Sequence, residues 1–171
     1  MPQDLIHIFQ QPANKRELTM KTIQNYQSTI QASVSAKEAY DKIALVGEWW
    51  ATSFAGSAKE LGDTFTVTFG ETFVDFKISE AIVDQRIVWE VANCYLPWLK
   101  DKTEWNGTSV AWDVTSVDGV TTVAMTHIGL TPEVECYQGC EEGWNHHIHQ
   151  SLDQFLNEGK GSPSTHGKHS S

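Results

Sequence analysis

Two stretches of this chain decide its fold: Gly119-VTTVAMTHIG-Leu130 and Glu135-CYQGCEEGWNHHIHQSLDQF-Leu156. The first alternates apolar and polar residues, which is typical of a strand with one buried face. In the second, apolar residues recur at spacings of three and four, so they share one stripe of an α-helix. They are Tyr137, Cys140, Trp144, Ile148, Leu152 and Phe155. We therefore predict a long C-terminal helix that packs against a sheet.

Six segments in all show the strand alternation, and turn residues separate them. This pattern indicates an antiparallel sheet with one buried face. After the first segment, 26–34, the sequence Ser35-Ala-Lys-Glu38 is a capping box that begins a short helix. A second short helical stretch contains Trp49 and Trp50. The predicted class is α+β, with a curved antiparallel sheet wrapped around the long C-terminal helix and two short helices after the first strand.

The composition limits the classes of partner. The chain has 12 basic and 22 acidic residues and a net charge of −10, which argues against proteins that bind nucleic acid or anionic membranes through a basic surface. It has no run of roughly twenty apolar residues and no signal peptide, so we expect a cytoplasmic protein. Its three cysteines fit a reducing compartment.

The predicted domain organisation is simple, because 171 residues are most simply one domain with its own core. We expect a single domain over residues 21–160, a disordered leader over 1–20 and a disordered tail over 161–171. The leader shows no periodicity, and we hypothesise that Met20 is the natural start.

Three motifs resemble those of a known family. They are TEWNGTSVAWDV at 103–114, THIGLTPEVEC at 126–136, and GWNHHIHQSLDQFL at 143–156 followed by GKGSP at 159–163. Together they resemble the bacterial stand-alone members of the activator of heat-shock protein 90 ATPase family, in the START-like or SRPBCC superfamily. The resemblance implies the helix-grip fold. It does not imply one activity, because this superfamily carries lipid transfer, polyketide cyclisation, hormone binding and co-chaperone work on one scaffold.

A sheet that grips a helix can enclose a ligand pocket, and large apolar side chains supply rigid walls for it. Inward strand positions and the helix stripe give ten candidate lining residues. They are Phe65, Phe69, Phe76, Trp89, Trp112, Met125, His127, Cys140, Trp144 and His147. The Trp144 indole N–H requires a partner if it is buried, and a ligand or water is one source. The sequence leaves open whether these side chains fill the pocket.

Histidines and cysteines on the predicted helix invite a metal interpretation. Cys136, Cys140 and His147 fall on one edge, since their separations of four and seven are near whole turns. A single helix does not surround a tetrahedral zinc ion, and His127 is the one further ligand outside it. We therefore expect no metal and no cofactor. We also expect Cys136 and Cys140 to be poor disulfide partners, because side chains one helical turn apart do not easily reach the required geometry.

His127 shares its strand parity with Val123 and Met125, so it should point inward. A buried imidazole is either held by hydrogen bonds, which is the commoner case, or placed for acid–base chemistry. Among its candidate partners, Glu90 and Asp113 have outward parity, and Glu104 lies in an irregular segment. We assign no catalytic residue, since no nucleophile motif or pair of carboxylates is present.

Three functions remain. The first is non-catalytic binding of a small hydrophobic or amphipathic ligand between sheet and helix, in stress response or small-molecule metabolism. The second is a protein-interaction domain that modulates a chaperone ATPase, which the resemblance implies. The third is a cyclase-like enzyme that uses His127. We expect a monomer or homodimer, and a cavity would favour the first function while a large exposed apolar patch would favour the second.

Overall fold

The computed structural model describes residues 24–165. The predicted leader and the proposed start at Met20 lie outside the described residues. In chain order the elements are β1 (Tyr26–Ala32), α1 (Ala36–Ile43), α2 (Val46–Trp49), β2 (Phe54–Gly56), β3 (Thr64–Phe69), β4 (Thr72–Ile82), β5 (Arg86–Tyr95), β6 (Ser109–Val117), β7 (Val120–Ile128), α3 (Tyr137–His146), a π-helical turn (His147–Leu152) and α4 (Asp153–Glu158). The last three form one continuous helix, called the C-terminal helix below.

The strands form one antiparallel sheet in the order β1-β7-β6-β5-β4-β3-β2. Alternate residues along the strands are buried, as the sequence pattern requires of a sheet with one covered face. The predicted α+β helix-grip arrangement is therefore confirmed. The sequence did not reveal β2, because its three residues are too few to show a period of two.

The C-terminal helix buries a stripe in which residues follow one another in steps of four: Cys140, Trp144, Ile148, Leu152 and Leu156. In a regular α-helix each step of four overshoots a full turn by about 40°, so this stripe would gradually rotate away from the sheet. The π-helical turn at His147–Leu152 is wider than an α-helical turn. It absorbs the drift, so that Leu152 and Leu156 still face the core.

The two short helices close one side of the sheet. Ser35 caps α1 by accepting a hydrogen bond from the Glu38 amide at 3.0 Å, as the capping box predicts. Trp49 at the end of α2 is fully buried, and its indole Nε1 donates to the carbonyl oxygen of Ile43 at 3.2 Å. The second of these hydrogen bonds fixes α2 against α1.

The start of the predicted tail differs from the expectation of disorder. Ser164 forms an isolated parallel bridge with Ala51, and its amide donates to the Trp50 carbonyl oxygen at 2.8 Å. The Ser162 amide donates to Ser151 Oγ on the C-terminal helix at 2.7 Å. Residues 161–165 are therefore packed onto α2, because backbone groups there pair with groups that α2 and the helix leave unpaired. Among the described residues, no helix is both long enough and apolar enough to cross a bilayer.

Candidate functional site

A cavity of about 70 Å³ lies between the start of β4, the connection from β5 to β6, and the C-terminal helix. Its lining is almost entirely apolar, and the polar side chains in it are those of Thr72 and His147. The complete lining is Trp50, Phe69, Thr72, Val74, Leu96, Trp98, Trp105, Cys140, Gly143, Trp144 and His147. Trp98 is the most exposed of these, at 43%, so the cavity is closest to solvent at that side chain.

Four of the ten predicted residues line this cavity: Phe69, Cys140, Trp144 and His147. The others lie in a buried core next to it, namely Phe65, Phe76, Trp89, Trp112, Met125 and His127. Their rings contact one another closely, with centroid distances of 4.9 Å for Phe65 and Phe76 and 5.2 Å for Trp89 and Trp112. Strand parity identifies which side chains face inward, but not how far they fill the space. Here the large rings occupy most of it.

Sequence reasoning missed several lining residues because they lie outside the periodic segments. Leu96, Trp98 and Trp105 belong to the irregular connection between β5 and β6, and Trp50 follows α2. One signal was present: a polar loop seldom carries two tryptophans and two leucines, as LPWLKDKTEW at 96–105 does. Apolar residues of that size in a loop indicate that the loop packs on something.

His127 is fully buried and bonded at both ring nitrogens. Nδ1 accepts from Trp144 Nε1 at 3.0 Å, and Nε2 lies 2.9 Å from Thr108 Oγ1. The Thr108 hydroxyl donates its proton to the Trp105 carbonyl oxygen at 2.7 Å, so it accepts from His127 Nε2. The imidazole is thus the neutral Nε2–H tautomer, and burial lowers its pKa to about 3. The Trp144 N–H, for which we considered a ligand or water as partner, is satisfied by His127.

His147 is different, because it lines the cavity and its Nδ1 finds no hydrogen-bond partner among the described residues. The residue is 7% exposed. Burial, and then repulsion from His146, lower its pKa to about 4, so the ring is neutral at pH 7. Trp105 Nε1 is a second buried nitrogen of the lining without such a partner. A buried polar group without a partner calls for an explanation, and a bound ligand or water is one such explanation.

Cys136 and Cys140 form a disulfide, which corrects the expectation that they would be poor partners. Cys136 is the residue that precedes the first turn of α3, rather than a residue inside the helix. The Cα atoms are 5.5 Å apart, a usual separation for bridged cysteines. Cys94 is a buried free thiol, and burial raises its pKa.

The candidate acidic partners of His127 all lie elsewhere. Glu104 accepts hydrogen bonds from the amides of Glu135 and Cys136, at 3.2 Å and 3.0 Å. It therefore fixes the start of the C-terminal helix. Asp113 pairs with Arg86 at 2.7 Å, and Glu90 is exposed. Among residues 24–165, no three His, Cys, Asp or Glu side chains are placed to hold a metal ion.

The comparisons with known proteins identify the fold. No family model matches the sequence, and no curated protein matches it. Solved structures do match. The solution structure of the Aha1 dimer from Colwellia psychrerythraea has a TM-score of 0.66 and 22% identity, over 80% of this chain and 98% of that chain. The protein SSP2350 from Staphylococcus saprophyticus has a TM-score of 0.62 and 17% identity, over 82% and 98%.

CalU16 from Micromonospora echinospora is a further structural neighbour, with a TM-score of 0.59 and 13% identity, over 80% of this chain and 75% of that chain. At these identities the likeness concerns the fold. The fold of this chain is like that of the Aha1 protein from Colwellia psychrerythraea, so the fold that the resemblance in the sequence motifs implies is confirmed.

Proposed function

We propose, from the Aha1-like START/SRPBCC fold of this chain, that the protein binds a small, compact and uncharged ligand in the cavity beside the C-terminal helix. The observation that carries the proposal is an aromatic lining with two buried nitrogens that lack partners among the described residues, His147 Nδ1 and Trp105 Nε1. Ligand sites are typically apolar, with a few polar groups that orient the ligand.

The size of the cavity narrows the class of ligand. Its volume of about 70 Å³ is near half of the roughly 150 Å³ that holds benzene in an engineered protein cavity. A long acyl chain is therefore a poorer candidate than a single-ring compound. Even one ring requires a lining side chain to move, and Trp98, the most exposed, is the one we expect to move.

The polar atoms of the lining favour a ligand with a hydroxyl group. His147 is neutral at pH 7 because its pKa is about 4, and no lining residue carries a charge at that pH. A charged ligand would lose its hydration without gaining an ion pair. A hydroxyl group donates and accepts, so it satisfies either His147 Nδ1 tautomer or the Trp105 N–H.

A titration with phenol and with benzene, followed by the indole N–H signals in NMR spectra, tests this proposal. We expect phenol to bind with a dissociation constant on the order of 1 mM, as small ligands of this size do. Benzene should bind about fivefold more weakly, because it lacks a hydrogen bond that contributes about 1 kcal/mol. His147→Phe should reduce that preference. Equal binding of both compounds by the unaltered protein would contradict the proposal that the cavity forms a hydrogen bond with the ligand hydroxyl.

Two glycines of α3 provide a matched control for the location. Gly143 lines the cavity, whereas a Cβ on Gly139 meets no atom within 4 Å. Both leucine substitutions raise helix propensity by a similar amount. Gly143→Leu should abolish phenol binding and Gly139→Leu should leave it unchanged. If both variants bind phenol like the unaltered protein, the ligand does not occupy this cavity.

A protein-interaction function is the second candidate. Exposed apolar side chains lie at two hairpin tips at the same end of the sheet: Ile82 and Val83 at the β4–β5 tip, and Val117 and Val120 at the β6–β7 tip. Exposed apolar side chains mark an interaction site where they form one patch. The Colwellia Aha1 protein is a dimer, and a homodimer is a natural first partner to test. Light scattering, with Val83→Lys and Val117→Lys as variants, measures self-association, and an ATPase assay with heat-shock protein 90 tests the chaperone alternative.

A further inference from the structure

The cysteine pair at the start of the C-terminal helix lies beside the cavity. Cys140 is 6% exposed and lines the cavity, while Cys136 is 2% exposed and is not part of the lining. Of the two cysteines, Cys140 is therefore the one that a molecule in the cavity would contact. Cys94, the third cysteine of the chain, is a free thiol near the Lys102 carbonyl oxygen. Cys136 and Cys140 are therefore the two cysteines of this chain that can interconvert between a dithiol and a disulfide.

The same helix end is tied to the loop that forms the opposite wall of the cavity. Glu104 of that loop accepts hydrogen bonds from the amides of Glu135 and Cys136. In return the Glu135 carboxylate accepts from the Lys100 amide at 2.9 Å. The loop between β5 and β6 carries Leu96, Trp98 and Trp105 of the lining. A shift of Cys136 would consequently move this loop, because the Glu104 and Glu135 carboxylates join the loop to the start of the helix.

The disulfide spans a very short piece of chain, with a sequence separation of 4. Closing so short a loop removes little entropy from the unfolded chain, so the bond adds less to stability than a long-range disulfide does. A bond that stabilises the fold only slightly, and that faces a cavity, is suited to being opened and closed.

We propose that Cys136 and Cys140 form a redox-active dithiol whose state sets the shape of the ligand cavity. The co-reactant is a low-molecular-weight thiol or its disulfide. In oxidation, the Cys140 thiolate attacks one sulfur of the disulfide RSSR and releases one thiol, RSH. The Cys136 thiolate then attacks Cys140 Sγ of the mixed disulfide and releases the second RSH. In sum, the dithiol and RSSR give the protein disulfide and two RSH, and an excess of thiol reverses the sequence.

Thiol counting on the full chain tests the redox chemistry without any variant. Protein is equilibrated with bis(2-hydroxyethyl) disulfide, a small linear oxidant, or with dithiothreitol under native conditions, quenched with N-ethylmaleimide in denaturant, and weighed by intact mass spectrometry. We expect one label after the small disulfide, on Cys94, and three labels after dithiothreitol. Three labels under both conditions would overturn the proposal, and so would one label under both, because the bond would then be absent or inert.

The coupling to the cavity has a separate readout, which is amide hydrogen exchange. Reduction should speed exchange at the amides of Glu135 and Cys136 about tenfold, because their bonds to Glu104 then open more often. Amides at the β6–β7 pairing should not change. Cys94→Ser should behave like the unaltered protein, whereas Cys140→Ser should exchange like the reduced protein with or without dithiothreitol. Unchanged exchange at both amides after complete reduction would overturn the coupling.

The expected effect of the redox state on phenol binding rests on the proposed function. The experiments distinguish a failure of the proposed function from a failure of the redox proposal. We expect the oxidised protein to bind phenol at least about fivefold more tightly than the reduced protein, because the bond fixes one wall of the cavity. If phenol binds neither form while thiol counting and exchange respond as expected, the ligand proposal fails and the redox pair stands. Equal binding to both forms would overturn the control of the cavity by the pair.

Discussion

Gly129, just after β7, shows how one residue supports the His127 network. Its φ of +106° is a conformation that L side chains rarely adopt. A Cβ there would lie 2.6 Å from Thr108 Cγ2, and the Thr108 hydroxyl is the acceptor for His127 Nε2. An alanine at 129 would therefore displace Thr108 and disturb the histidine behind it.

We expect Gly129→Ala to lower the free energy of unfolding by about 2–4 kcal/mol, from the combined effects of the left-handed backbone and the displaced hydrogen bond. Gly119→Ala is the matched control. Gly119 also has a positive φ, of +82°, but a Cβ there meets no atom within 4 Å. It should cost about 1 kcal/mol. Urea denaturation of both variants measures the difference, and equal losses would show that the Thr108 contact contributes nothing.

The buried histidines make stability depend on pH. The pKa values of His127 and His147 are about 3 and about 4 in the folded protein, below the ordinary value near 6.5. The unfolded chain therefore binds more protons in the window between pH 6.5 and pH 4. The stabilisation is fully present above pH 6.5 and is lost as the pH falls through this window.

His147→Phe isolates one of the two groups, since it removes the titration while keeping a ring. Between pH 7 and pH 4.5 the unaltered protein should lose about 2.5 kcal/mol more than this variant, because each pH unit below 6.5 contributes up to about 1.4 kcal/mol. Urea denaturation at a series of pH values measures this difference. His146→Gln, at an exposed position beside it, serves as the control and should retain most of the loss. A parallel pH dependence for His147→Phe and the unaltered protein would place His147 in solvent.

At the scale of elements, Ser151 links three parts of the fold: the C-terminal helix, α2 and the 161–165 segment. Its hydroxyl donates to the Trp49 carbonyl oxygen at the end of α2 and accepts from the Ser162 amide of the packed 161–165 segment. The residue is fully buried within the π-helical turn. Removal of the hydroxyl leaves both backbone groups without that partner.

Ser151→Ala should therefore lower the free energy of unfolding by about 1–3 kcal/mol, the usual loss for buried groups left unsatisfied. It should also speed hydrogen exchange at the Ser162 amide. Gln150→Ala, at an exposed position of the same turn, should change stability by less than about 0.5 kcal/mol. Chemical denaturation and exchange rates measured on both variants decide the matter. A loss confined to Gln150→Ala would mean that the helix phase is wrong.

At the scale of the whole molecule, the last described residues, 161–165, pack against α2 and the residues that follow it. Gly161 approaches α2 so closely that a Cβ would lie 2.6 Å from the Glu48 carbonyl oxygen. The Thr52 amide donates to the Ser164 carbonyl oxygen at 3.0 Å. A chain that ends at Lys160 loses these contacts, whereas one that ends at Thr165 keeps them. We expect the shorter chain to unfold at a temperature several degrees lower, consistent with a loss of about 1–3 kcal/mol. Calorimetry of the two chains measures this, and equal midpoints would show that the segment is dispensable.

The sequence predicts the strands and the long helix because periods of two and of three to four are local properties. It also predicts that His127 points inward. It does not predict that Trp144 is the partner of His127, because that contact depends on how the helix is placed along the sheet. The cavity wall from Leu96 to Trp105 was missed for a related reason: irregular chain has no period, and its direction is set by contacts such as those of Glu104. The 161–165 segment follows the same rule, since its partners belong to α2.

The π-helical turn has a consequence for the tolerance of this chain to insertions and deletions. A wide turn inside an α-helix holds one residue more than the same length of regular helix requires. Removal of a single residue between 147 and 152 would allow the helix to become regular while Cys140 and Trp144 stay in place. A regular helix advances about 100° per residue, so the seven steps that would then separate Trp144 from Leu152 span about 700°, close to two full turns. Leu152 and Leu156 would therefore keep their buried positions. Related chains that lack the extra residue should therefore bury the same positions on either side of the turn, with one spacing of three in place of a spacing of four. A comparison of such chains is accurate only when a one-residue gap is placed within the turn.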